Sequence, residues 1–213
     1  MHFGKNNVER EYKMDLGENS PPHIIEKTLV ERDLGIMIAN DLKWIHQIEK
    51  AVQAVKAIIS QIRNSFTYFD AKLVRLLYVS LIRPHLEYAV PVWNPYLRGD
   101  IENIENVQHR ATRLVPGIKR KNYEYRVKTL RLTTLENRRK RGDLIQFYKI
   151  INKIDNINLS NGLLDRGGGD SGPAGNLRKQ GVCFHRELSK IKSIREIFFT
   201  NRVIPFGMIS RWN

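Results

Sequence analysis

The run WIHQIEKAVQAVKAIISQIRNSF, Trp44 to Phe66, decides the fold class. Trp44, Ile48, Val52, Val55, Ile59, Ile62 and Phe66 recur at steps of three or four, and Lys50, Gln53, Lys56 and Arg63 fall off that series. An α-helix turns once in about 3.6 residues, so the spacing gathers the apolar set into one stripe of a long amphipathic helix. A stripe from Trp to Phe at this period seals a core far more often than it lines a ligand site.

Toward the C-terminus, Asp70 reads as the N-cap of a second helix, AKLVRLLYVSLI, residues 71–82. Its apolar residues surround the axis, which predicts the buried centre of a bundle. Pro84 predicts an end or a kink, because proline lacks an N–H and disfavours helical backbone at Arg83. The stretch RPHLEYAVPVWNP, 83–95, then sets His, Glu, Tyr and Trp close together. His85 and Glu87 are two apart and would point to different faces of a helix, poor geometry for an acid–base pair. We read the stretch as a structural corner, with Pro91 and Pro95 holding Trp93 on extended chain. Asp100 is expected to cap a third helix that buries Ile101, Ile104, Val107, Ala111 and Leu114 and stops at Pro116–Gly117. NYEYRVKTL, 122–130, reads as a short helix. Thr133 and Glu136 form a capping-box pattern for a further helix with Leu144, Tyr148, Ile151 and Ile154 on its buried side.

Toward the N-terminus the pattern changes. Residues 1–40 read as short strands with turns, among them REYKM, 10–14, and LGIMI, 34–38, where Gly35 permits a close backbone approach. The segment RGGGDSGPAGN, 166–176, reads as a flexible linker. It is no phosphate-binding loop, because no Gly-Lys-Ser/Thr follows. The expected fold is mainly α, a helical bundle with a small N-terminal β element and an irregular C-terminal tail.

Composition narrows the function classes. A chain of 213 residues can bury a real core. Its one cysteine, Cys183, allows neither an intramolecular disulfide nor a multi-cysteine zinc site. No apolar run approaches the roughly 20 residues of a membrane span, and the N-terminus lacks a signal peptide's apolar region. The expected setting is intracellular, nucleus or cytoplasm, with no membrane partner. The nine aspartates are never adjacent and never form Asp-x-Asp, and the six histidines lie in separate segments. The sequence therefore carries no local signal for a metal-ion pair, a metal-ligand cluster or a nucleophile elbow.

Charge is more informative. Net charge is +14. Between Asn106 and Lys153 stand 14 basic residues opposed only by Glu124, Glu136 and Asp143, which gives +11 of that total. Such clustering favours a surface for a phosphate backbone over evenly solvated charge, with nucleic acid preferred to an anionic membrane. Lys119, Arg120 and Lys121 follow a helix end. Arg138, Arg139, Lys140 and Arg141 fall on the first turns of the next helix, where they oppose the helix dipole. A partner's negative charge, or a nuclear import receptor, would account for them.

Five segments, in order, resemble a known family: ERDLGIMIANDLKW, LLYVSLIRPHLEYAVPVWNPY, IENVQHRATRLVPGI, YEYRVKTLRLTTLENRRKRGDLIQFYKI and FFTNRVIP with a closing WN. They look like the region downstream of the polymerase active site in jockey-type non-LTR retrotransposon reverse transcriptases. The resemblance covers nearly the whole chain and is weakest at 155–180. It implies a partial protein, with the catalytic Asp-Asp motif and its Mg2+ upstream of Met1, so that the chain alone is no enzyme and holds no cofactor. Residues 1–40 would be late palm, with Leu34 and Gly35 on the turn of the primer grip, although Asp33 stands where relatives often have Tyr. Residues 41–117 would be a three-helix thumb, 118–155 a basic helical extension, 156–180 a linker and 181–213 a C-terminal segment, clipped or diverged where relatives continue with Leu-Pro. The implied partner is RNA or RNA–DNA duplex, held without regard to sequence. Arg110, Arg113, Lys119, Arg120, Lys121, Arg138, Arg139 and Arg141 are the expected phosphate contacts. A helical protein-interaction module and a non-functional pseudogene product stand as alternatives.

Overall fold

The computed structural model describes residues 1–3, 8, 10–15, 17, 21–157, 199 and 201–203. The Gly-rich stretch at 166–176 and most of the expected segment 181–213 lie outside them. The described residues are mainly helical, with two small antiparallel sheets. The chain forms two compact units. The first comprises Met1–Leu86 and Leu97–Leu132, the second Glu87–Tyr96 and Thr133–Asn213.

The first unit opens with strands β1 (Lys13–Met14) and β2 (His23–Ile24), then β3 (Val30–Asp33) and β4 (Ile36–Ala39), each pair antiparallel. The strand expected at 34–38 begins two residues later. Leu34 (φ 45°) and Gly35 (φ 86°) form the two-residue turn between the paired Asp33 and Ile36. Both φ values are positive, as a type I′ hairpin turn requires, and that turn follows the natural twist of the strands.

Helix α1 (Ile45–Ser65) buries Ile48, Ala51, Val52, Val55, Ile59 and Ile62, the stripe read from sequence. Trp44 is half-buried and Phe66 exposed, because both lie outside the helix ends. The hairpin is tied to this helix. Met37 N–H donates to Gln47 Oε1 at 2.9 Å, and Lys50 Nζ to Gly35 O at 2.6 Å.

Helix α2 (Ala71–Leu77) starts at the expected cap, where Asp70 Oδ1 accepts from Leu73 N–H at 2.6 Å. It runs into a π-turn (Tyr78–Ile82) and then α3 (Arg83–Glu87). The helix thus passes through Pro84. The ring has no N–H to give to Ser80, and the widened turn just before it, with Arg83 N–H on Tyr78 O, makes room. The expectation of a helix buried all round is not met. Val74, Tyr78, Ile82 and Leu86 are buried, but Leu76 is 64% exposed, and Val79 and Leu81 are also exposed. The unit covers one side of this helix, chiefly with α1, and leaves the other open among the described residues.

Helix α5 (Arg98–Thr112) packs on α1 and buries Ile104, Val107, Gln108 and Ala111. Leu97 holds the cap position, so Asp100 sits in the first turn instead, where a carboxylate still complements the helix dipole. Burial and the nearby Glu49 raise its pKa above the usual carboxylate value. A 3-10 turn (Pro116–Ile118) leads to α6 (Tyr123–Thr129), capped by Asn122, which packs on α5. The compact unit therefore continues past residue 117, to Leu132.

In the second unit, Ala89 (φ 49°) turns the chain into α4 (Val90–Trp93). The corner is helical, not extended. Pro91 occupies its first turn, where a missing N–H costs nothing and the fixed φ suits a helix. Trp93 is fully buried and donates Nε1–H to Tyr88 O at 2.5 Å. Helix α7 (Leu135–Ile151) is capped by Thr134, one residue after the expected Thr133; its Oγ1 accepts from Asn137 N–H at 3.3 Å. The buried face also differs from the expected one: Leu135, Arg139, Asp143, Phe147 and Ile150 turn inward, while Leu144, Tyr148 and Ile154 are exposed and Ile151 is half-buried. Asp143 can lie inside because Arg202 takes both its oxygens, at 2.8 and 2.9 Å, and Asn94 donates a third bond at 2.8 Å.

Candidate nucleic-acid interface

The expected cations fall into two groups, one in each unit. In the first unit, Arg110 lies in the last turn of α5, Arg113 is its C-cap residue, and Lys119, Arg120 and Lys121 follow the 3-10 turn. All five side chains are exposed. Among the described residues none pairs with a carboxylate. Arg110 and Arg113 gain some stabilisation from the negative end of the α5 dipole. Lys119 to Lys121 lie past the helix end, on the connection to α6.

That connection is anchored from beneath by Arg126, on the first turns of α6. Its guanidinium is buried. It donates to Thr112 Oγ1 at 3.0 Å and to Lys121 O at 2.7 Å, the two ends of the segment that bears four of the five free cations. Its Nη2 lies 3.5 Å from His109 Nδ1, and its charge sits 5.7 Å over the Tyr123 ring. His109 and Tyr123 stack with centroids 3.5 Å apart, and the Tyr123 hydroxyl donates to Glu105. Burial, followed by the Glu105 carboxylate, pushes the Tyr123 pKa up, so the hydroxyl keeps its proton and remains a donor. Burial, followed by the charges of Arg126 and Arg113, lowers the pKa of His109; burial and Arg113 lower that of Arg126. Burial is the first cause of all three shifts, and the neighbouring arginine charges add to it at His109 and Arg126. Neutral donors and acceptors hold the buried Arg126, and four of the five exposed cations, Arg113 and Lys119 to Lys121, lie on the chain it fixes.

In the second unit the first three residues of Arg138–Arg141 are engaged within the fold. Arg138 makes a bidentate pair with Glu87, one arm at 2.8 Å. Arg139 is 2% exposed, with its guanidinium 5.8 Å over Trp93. Lys140 pairs with Glu136 at 2.7 Å, four residues back along the helix. Arg141 is exposed and unpaired among the described residues. Internal packing and ion pairs thus engage Arg138 and Arg139, and of the three expected contacts Arg141 alone is exposed. At the hairpin, Leu34 is 84% exposed at the tip, with Gly35 beside it.

Sequence reading missed Arg126, His109 and Tyr123 as the residues that order the first group. The available signal was a basic residue flanked by Val127 and Leu130 on the apolar face of a short helix. Among the described residues, no group of three His, Cys, Asp or Glu side chains could hold a metal ion, and no helix is long and apolar enough to cross a membrane. Comparison with protein-family models, curated proteins and solved structures finds no match.

Proposed function

We propose that the chain binds the phosphate backbone of RNA or RNA–DNA duplex without reading its sequence. It would do so as the thumb-like region of a non-LTR retrotransposon reverse transcriptase, with no polymerase chemistry of its own. One observation carries the reading: five exposed cations within twelve residues, Arg110 to Lys121, unpaired among the described residues, four of them on a connection whose two ends Arg126 fixes. Cations held by a rigid support lose less freedom on meeting a phosphate than cations on a loose tail. The five segments that resemble the reverse transcriptase region supply the choice of partner, and the exposed hairpin tip at Leu34–Gly35 is the proposed counterpart of that family's primer grip.

The test is a salt titration of binding to an RNA–DNA duplex by fluorescence anisotropy. Each neutralised phosphate contributes about 0.9 to the log–log salt slope on a B-form duplex. Five contacts give an expected slope of about −4.5, and Lys119→Ala with Arg120→Ala and Lys121→Ala should reduce it to about −2. Arg138→Ala and Arg139→Ala should lower stability while leaving the slope in place. A triple variant with an unchanged slope and affinity removes the assignment.

A further inference from the structure

The side of α2 and its π-turn that the first unit leaves open forms one wall of a cleft of about 570 Å3, closed by the chain at the end of α6. That volume lies within the range of pockets that enclose a ligand or a few large side chains. Leu76 and Val79, three apart and therefore on one face, form its apolar surface, with the buried Leu130 at its base. Lys72, Arg75 and Arg131 stand around it, all exposed. No carboxylate lines the cleft, and among the described residues none of the three cations pairs with one. Arg131 is held in left-handed backbone (φ 49°) by its N–H on Lys128 O at 3.0 Å, so the rim is fixed by the turn that ends α6.

We propose that this cleft docks an amphipathic helix that carries acidic residues beside its apolar stripe. Two apolar side chains one turn apart enter against Leu76 and Val79, and flanking Asp or Glu meet Lys72, Arg75 and Arg131. This is the helix-in-groove mode of recognition, and here the charge around the apolar surface selects the partner's sign. A nucleic acid fits the same surface poorly. No aromatic ring lines it to stack a base, and a phosphate drawn to the cations would leave the apolar wall wet. The site is independent of the backbone contacts proposed above, since it shares none of the residues Arg110 to Lys121.

The experiment is an anisotropy titration of the full chain with three labelled peptides. One has Leu at positions i, i+3, i+4 and i+7 with Glu around them, the second has Lys in place of Glu, and the third scrambles the Glu and Leu order. The acidic amphipathic peptide is expected to bind at least about ten-fold more tightly than either control. Leu76→Ser with Val79→Ser should weaken it by about ten-fold or more, and Lys72→Glu with Arg75→Glu by a similar factor. Both pairs replace exposed residues, and circular dichroism will show that each variant keeps its helices; should the serine pair fail to fold, Leu76→Ser alone serves. Equal binding of acidic and scrambled peptides overturns the proposal, as does preference for the basic peptide, displacement by RNA–DNA duplex, or indifference to both variant pairs. A concentration-dependent dimer that Leu76→Ser dissociates would put a second copy in the cleft and overturn it too.

Discussion

His109 lies half-buried and flat on Tyr123, beside a buried arginine and within the field of Arg113, so burial first and then those charges disfavour its protonation. The unfolded chain takes up that proton near the ordinary value of 6.5, while the folded chain resists until lower pH. The unfolded state then binds more protons across that window, and stability is lost as pH falls through 6.5. Urea midpoints at pH 7.5 and 5.5 are expected to drop more for the native chain than for His109→Phe, which keeps an aromatic ring but cannot titrate. An equal drop in both would assign the pH dependence to other groups. Trp93 gives a second case. It is fully buried, bonded to Tyr88 O and covered by Arg139. Trp93→Ala is expected to destabilise the fold by about 3–5 kcal/mol, read as a lowered melting temperature. An unchanged melt would contradict the structural corner and reopen the stretch as a site. The sequence shows a corner at Trp93 but not the role of Arg139, because basic residues are ordinarily solvated and nothing local marks one that caps an indole.

At the scale of elements, the long stripe from Ile48 to Ile62 is legible because a helix that is buried on one side repeats its chemistry at the helical period. The face of α7 is not legible in the same way. Its inward positions include Arg139 and Asp143, and only partners distant in sequence (Trp93, Asn94 and Arg202) make those positions affordable. Helix α2 misleads in the opposite direction. Apolar residues on every side suggest complete burial, yet Leu76 and Leu81 face outward. Turn chemistry explains the hairpin. A type I′ turn favours Asn or Gly in its first central position, and Leu34 pays a steric cost there while its side chain remains 84% exposed. Leu34→Asn is therefore expected to raise stability by about 0.5–1 kcal/mol in chemical denaturation. A loss instead would reveal a contact made by the leucine side chain.

For the molecule as a whole, the sequence makes the mainly helical class and the excess of positive charge readable, but not how that charge divides. Arg138 and Arg139 serve the interior of one unit, with Arg141 exposed beside them, while five free cations from Arg110 to Lys121 lie in the other, four of them on a connection set by Arg126. Local charge counts cannot separate these roles, since pairing depends on residues brought in from elsewhere in the chain, such as Glu87 opposite Arg138. The π-turn illustrates a different dependence on the whole chain. Val74, Tyr78, Ile82 and Leu86, all buried, are spaced four apart throughout. A regular helix advances about 100° per residue, so each step of four would overshoot the face by about 40°. The wider turn at Tyr78–Ile82 absorbs part of that overshoot and keeps the four in phase. The segment thus works as a counted interval. Apolar residues of similar size can be exchanged within it, but losing a single residue would rotate Leu86 off the core, so a deletion here is a far more serious lesion than most substitutions.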